Sequence, residues 1–223
     1  MMTFSRKNIT ALFLSVLAVI VMSCIEKYLA PPYFIKSLLK VLVFAGSVFL
    51  HALIHKENVF ELIRLRKKKI PKKLLFLMIG VYVFVLAAFF LFRDQIDLAH
   101  IRESLLAKEG LTRQNFVFIF GYIILCNSFL EEAFFRGFVS TNVCGRKIPA
   151  VLISAFLFSV YHIGIMSSWF SPLIFVICVI GLMIAGLFLQ WLSDLEDTIL
   201  LSWFVHGFAN LAINTIAVFM LFM

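Results

Sequence analysis

Apolar residues gather into long runs at about 8–24, 34–54, 74–92, 115–141, 148–162, 170–192 and 199–223, and the short stretches between them are rich in charge, Pro or Gly. Most of these runs reach the roughly 18 residues that a helix needs to cross a hydrocarbon core about 30 Å thick. The pattern predicts an all-α, polytopic membrane protein of about seven transmembrane helices, with a range of six to eight. Composition agrees, since 63% of the 223 residues are hydrophobic and 14% are charged, against roughly 45–50% apolar residues in soluble domains. No internal repeat or long linker breaks the chain, so residues 1–223 read as a single membrane domain. Within it, the helices across 115–214 carry nearly all of the unusual polar residues.

The formal net charge of +8 is concentrated in the loop 56–73, which holds Arg64, Arg66, Lys67, Lys68, Lys69, Lys72 and Lys73. A basic loop between spans follows the positive-inside rule, and this reading excludes nucleic acid as the partner. It sets the N-terminus, with Arg6 and Lys7, and the loop with Arg146 and Lys147 on the same cytoplasmic side of a cell membrane. A second reading of the loop is contact with anionic lipid headgroups. The first run reads as an uncleaved helix rather than a signal peptide, because Met22 sits poorly in the loose lipoprotein-like stretch before Cys24. The four cysteines, Cys24, Cys126, Cys144 and Cys178, lack the spacing of a disulfide framework or a zinc knuckle and read as packing residues. The segment 93–113 has balanced charge and reads as an external surface helix, with Ile101, Leu105 and Leu106 toward the headgroups.

The fourth run contains Glu131, Glu132 and Arg136 among aromatic residues. Ionisable groups in a span cost several kcal/mol unless paired or hydrated, which makes them functional candidates. If the helix continues to Cys144, Glu131 lies about 20 Å from that end, and His162 lies about 21 Å into the next run from the same face. The two depths match. Glu132 and Arg136 are four apart and can pair along the helix, whereas Glu131 points about 100° away and is left available. In the last run His206, Asn210 and Asn214 share a face, with Gly207 and Ala209 beside it for close helix approach.

A carboxylate beside a histidine in a cavity that admits water can act as general base toward a peptide carbonyl. His206 and Asn210 can then supply donors to the oxyanion. No Ser or Cys is placed on these faces as a convincing nucleophile. Glu131, His162 and His206 are also a possible zinc ligand set, so the cofactor stays open between a divalent metal and none.

These residues fall into three motifs, Glu-Glu-x-x-x-Arg at Glu131, Glu132 and Arg136, Phe-x-x-x-His at Phe158 and His162, and His-x-x-x-Asn at His206 and Asn210. Their order and spacing resemble the CAAX protease and bacteriocin-processing family of intramembrane endopeptidases. The resemblance implies that Glu131 and His162 activate water, that His206 and Asn210 hold the oxyanion, and that Glu132, Arg136 and Phe158 support the site. It implies a hydrophobic or lipidated peptide or protein as substrate, by a metalloprotease-like or glutamate-type mechanism, in contact with membrane lipid. Two other classes compete with it. In a non-enzymatic immunity or regulatory protein the same residues hold helices together. A small transporter would use them as a proton relay, and it would show repeats or broken helices in both halves.

Overall fold

The computed structural model describes residues 5–144, 147–166 and 169–222, and its helices follow the apolar runs closely. Arg146, expected in a cytoplasmic loop, and Met223, the end of the last run, lie outside the described residues. The helices are α1 (Arg6–Leu29), α2 (Tyr33–His55), a short α3 (Val59–Leu62), α4 (Lys73–Gln95), α5 (Leu98–Ala107), α6 (Phe116–Asn142), α7 (Ile148–Met166), α8 (Pro172–Leu195) and α9 (Leu200–Phe222). Six of them are long and apolar enough to cross a membrane, and the apolar part of α7, Ile148–Gly164, is shorter. The chain is a multi-pass, all-helical membrane protein, with no strand among the described residues.

Local chemistry explains the boundaries. Ser5 caps α1 in a reciprocal pair with Asn8. Lys56 ends α2 in the left-handed conformation with its N–H on the Ala52 carbonyl, and Pro172 starts α8 at a position where its missing N–H costs nothing. Three stretches are π-helical, Ile25–Leu29 in α1 and Ile123–Asn127 and Ala133–Val139 in α6. The last two bracket Glu131 and Glu132.

Helix α6 is the centre of the bundle and packs against α1, α2, α7 and α9, while α7 lies along α8 and α4 rests on α9. One aromatic core joins α2, α6 and α7. Phe44 stacks on Phe134 with ring centres 4.3 Å apart, and Phe135, Phe138, Phe158 and Tyr161 fill the space around them. The outward faces carry exposed Leu, Ile and Phe, and only 6% of the apolar window of α4 is buried. Such apolar faces are suited to a lipid environment.

Two sequence expectations change in the structure. Ile101 of α5 is buried against Leu111, Phe120, Ala217 and Met220, with Leu105 beside it, so only Leu106 of the three stays at the surface. Cys24 and Cys126 are exposed rather than packed.

The basic loop also divides in two. Arg64 is fully buried and binds Asp194 Oδ1 at 2.8 Å, the Ser193 carbonyl at 2.9 Å and Asp197 Oδ1 at 3.2 Å. Arg66 pairs with Asp197 and Glu61, contacts that raise its pKa above the ordinary arginine value. These two arginines strap the segment after α3 to the end of α8 and the α8–α9 connector, whereas Lys67, Lys68, Lys69, Lys72 and Lys73 remain exposed.

The strap presses its backbone onto α6 at Gly137. A Cβ there would sit 2.3 Å from the Ile63 carbonyl oxygen and 2.6 Å from Ile63 Cα. Backbone cannot yield as a flexible side chain can, so Gly137→Ala is expected to destabilise the fold by at least the roughly 1–3 kcal/mol typical of overpacking. Gly80→Ala, where a Cβ meets open space, is the control. Thermal unfolding of both variants in detergent micelles checks this, and equal midpoints would refute the contact.

Candidate active site

The site forms where α2, α6, α7 and α9 meet, and each side chain reaches it by a local feature of its helix. Glu131 and Glu132 follow the π-helical stretch Ile123–Asn127, and widened turns of this kind are frequent at functional sites. The same stretch supplies carbonyls to α9: Asn210 Nδ2 donates to the Ile123 carbonyl at 3.3 Å and Trp203 Nε1 to the Leu125 carbonyl at 2.9 Å. Asn214 Nδ2 donates to the Phe120 carbonyl at 3.4 Å. Gly207 lets the backbones close, since a Cβ there would stand 3.0 Å from the Ile124 carbonyl oxygen. The polar stripe of α9 is thus a seam that docks it onto α6.

The seam sets His206 between the two carboxylates. Its Nδ1 lies 2.8 Å from Glu132 Oε1 and its Nε2 3.5 Å from Glu131 Oε2. On α7, His162 Nδ1 is 2.8 Å from the Phe158 carbonyl, which fixes Nδ1 as the protonated nitrogen and turns the Nε2 lone pair inward. That nitrogen stands 3.9 Å from Glu131 Oε2, too far for a direct hydrogen bond. Phe158 packs against both imidazoles, with ring centres 4.6 Å from His162 and 5.8 Å from His206. The site opens on the His162 side, where that side chain is 17% exposed against 2% for Glu131.

The pairing of Glu132 with Arg136 read from the sequence is present, at 3.5 Å between Oε2 and Nε with both side chains fully buried. Arg136 also lies over the Phe158 ring, 4.1 Å from its centre. Glu131 differs from expectation because it is not left available. Its Oε1 is held by the Lys40 ammonium of α2 and by Asn127 Nδ2 at 3.1 Å, while Oε2 makes no hydrogen bond to any described residue. Lys40 is the residue that sequence reasoning missed. Its signal was there, because Lys36 and Lys40 are charges inside an apolar run, the criterion that singled out Glu131.

A metal is the other chemistry left open by the sequence. Among the described residues no group of three His, Cys, Asp or Glu side chains is arranged to hold one. Glu131, His162 and His206, the nearest such set, also shares its carboxylate with the Lys40 ammonium, which would face a dication at close range. As placed, the set fits a metal poorly.

With this geometry in view, the comparison with known proteins becomes specific. Residues 113–212 match the family model described as type II CAAX prenyl endopeptidase, Rce1-like. Over that stretch, a little under half of the chain, the sequence is similar to that family. No curated protein and no solved structure matches the chain. The matched stretch contains all three motifs, from Glu131 to Asn210, and excludes α2 with Lys40.

Because Glu132 and Arg136 are sealed from water, removing one leaves the other as an uncompensated buried charge. Arg136→Met is expected to destabilise the protein by about 3–5 kcal/mol, and the double variant E132Q/R136M by less than that. Denaturant unfolding in mixed micelles checks the order, and a double variant less stable than R136M would contradict it.

Proposed function

We propose that the protein is an intramembrane endopeptidase in which Glu131 and His162 activate a water that is not bound to a metal. One observation carries the reading. Glu131 Oε2 and His162 Nε2, both acceptors in the tautomer above, face each other across 3.9 Å in the membrane interior. Two opposed acceptors repel unless a donor of two hydrogens stands between them, and water is such a donor. A water donating one O–H to each keeps its lone pairs directed away, toward an incoming carbonyl.

In the reaction, the water oxygen bonds to the peptide carbonyl carbon as its proton passes to Glu131. The carbonyl oxygen becomes an oxyanion, held by Asn210, whose amide has a second N–H, and by an N–H of His206, whose ring is oriented through Nδ1 by Glu132. The tetrahedral intermediate collapses by breaking the C–N bond, and the proton on Glu131 goes to the leaving amine. Arg136 balances Glu132, which orients His206, while Phe158 packs against both imidazoles and accepts from His162 Nδ1 with its carbonyl. The matched family's description and the lipid-facing bundle support a hydrophobic or prenylated peptide or protein as substrate. A cytoplasmic N-terminus in the cell membrane is supported by Lys7, whose pairing with Glu57 sets the N-terminal end of α1 beside the start of the basic loop with its exposed Lys56 and Lys67–Lys69.

A second reading has one observation in its favour. Lys40 and Asn127 already engage Glu131, as expected of a non-enzymatic membrane protein, such as a bacteriocin-immunity or regulatory protein, that uses the group to join helices. The two readings part on Glu131→Gln and His162→Ala, tested in micelles against hydrophobic and prenylated peptides with products read by mass spectrometry. Cleavage is expected to fall about 10²–10⁴-fold in each variant and to persist with chelator present. Cleavage undiminished in E131Q would sink the protease reading, and loss to chelator would overturn the metal-free water.

A further inference from the structure

Helix α2 turns Lys36, Lys40, Phe44, Val48 and His51 to one inward face at the spacing of a single helical stripe. The two lysines are engaged differently. Lys36, nearer the outer end, binds Glu26 Oε2 at 2.8 Å and Glu109 Oε1 at 2.7 Å, so its charge is matched before it reaches the site. Lys40, one turn deeper, has a side chain 7% exposed and ends on Glu131 Oε1 and Asn127 Oδ1. Asn127 Nδ2 returns to the same Glu131 oxygen at 3.1 Å, which closes a three-membered ring of hydrogen bonds. The remaining side of the ammonium faces the Tyr161 ring at 4.8 Å. All of this interaction falls on Oε1, and none on the oxygen that faces the histidines.

We propose that Lys40 is a positioning residue of the active site, which holds the Glu131 carboxylate as an ion pair through Oε1 and thereby presents Oε2 to the attacking water. A carboxylate with both oxygens free would rotate about its terminal torsion and would stand unpaired in the membrane interior. The Lys40–Asn127 clamp removes both problems. The region matched to the family begins at residue 113, so the counter-charge of its glutamate comes from a helix outside that match. The inference rests on the protease reading for its kinetic consequence only, since the ion pair has a readout of its own.

A buried carboxylate deprived of its partner takes up a proton rather than stay charged. In Lys40→Met at neutral pH, infrared spectroscopy of protein in micelles should show a carboxylic-acid C=O band absent from the wild type and from K40M/E131Q. Cleavage should fall about 100-fold or more at neutral pH, as for an enzyme deprived of its base, and the deficit should narrow as pH rises. Lys40→Gln keeps an N–H donor without the charge and is the second variant, with the same expected result, should K40M fold poorly. A variant with the wild-type pH profile and no new band would overturn the proposal. If the wild-type protein cleaves no peptide, the protease reading fails, and the band alone decides whether Lys40 pairs with Glu131 as an ion pair.

Discussion

Charge inside a membrane must be matched where it stands, because lipid offers neither water nor mobile ions to screen it. Two adjacent carboxylates on α6 impose that requirement twice over, and the packing around them answers it. Glu132 takes Arg136 from its own helix and His206 from α9, while Glu131 takes Lys40 from α2. The partners come from different directions, so satisfying the carboxylates fixes the relative positions of three helices. Coulomb attraction at low dielectric is strong enough to hold such an arrangement but does not outweigh desolvation by itself. The hydrogen bonds of Asn127 and the aromatic walls of Phe158 and Tyr161 supply further contacts.

Close approach makes those pairings geometrically possible. Gly207 admits the Ile124 carbonyl and Gly137 admits the Ile63 backbone, so α9 and the strap after α3 both lie nearly in contact with the α6 main chain. The π-helical stretches add to this, since a widened turn offers carbonyls at the helix surface. Ile123 and Leu125 use theirs to receive Asn210 and Trp203. An α-helical α6 would rotate Glu131 and Glu132 relative to the helix below them, and the seam with α9 would no longer place His206 between the carboxylates.

Much of this was legible in the sequence. Run lengths mark the helices, and equal depth counted from the same face puts His162 opposite Glu131, where the structure has them 3.9 Å apart. Lys40 aside, whose charge in an apolar run was a readable signal, the features that escaped are those without a one-dimensional signature. Regular helical geometry predicts the Glu132–Arg136 pair but not the π turns, whose hydrogen bonds shift by one residue with no compositional mark. Ile101 was assigned to the headgroups because its run is short and amphipathic, but the ends of α6 and α9 offered a better apolar surface. Arg64 and Arg66 looked like ordinary loop charges because their partners, Asp194 and Asp197, lie about 130 residues away.

Lys40 shows most clearly how a site can outgrow its motif. A motif records residues close together in sequence, so it captures Glu131 with Glu132 and His206 with Asn210. It cannot record a counter-charge supplied by a helix some ninety residues earlier. The structural demand on that earlier helix is loose in position but strict in chemistry: a long cationic side chain at the depth of the carboxylate, on the inward face, able to reach one oxygen and leave the other open. Lys meets it with a flexible stem and a compact ammonium, whereas the broad guanidinium of Arg136 serves the neighbouring carboxylate from its own helix. The two glutamates therefore differ in surroundings because their cations differ in shape and direction. One is closed off with His206 and Arg136, and the other keeps an oxygen facing the histidines, on the side of the site where His162 is part-exposed.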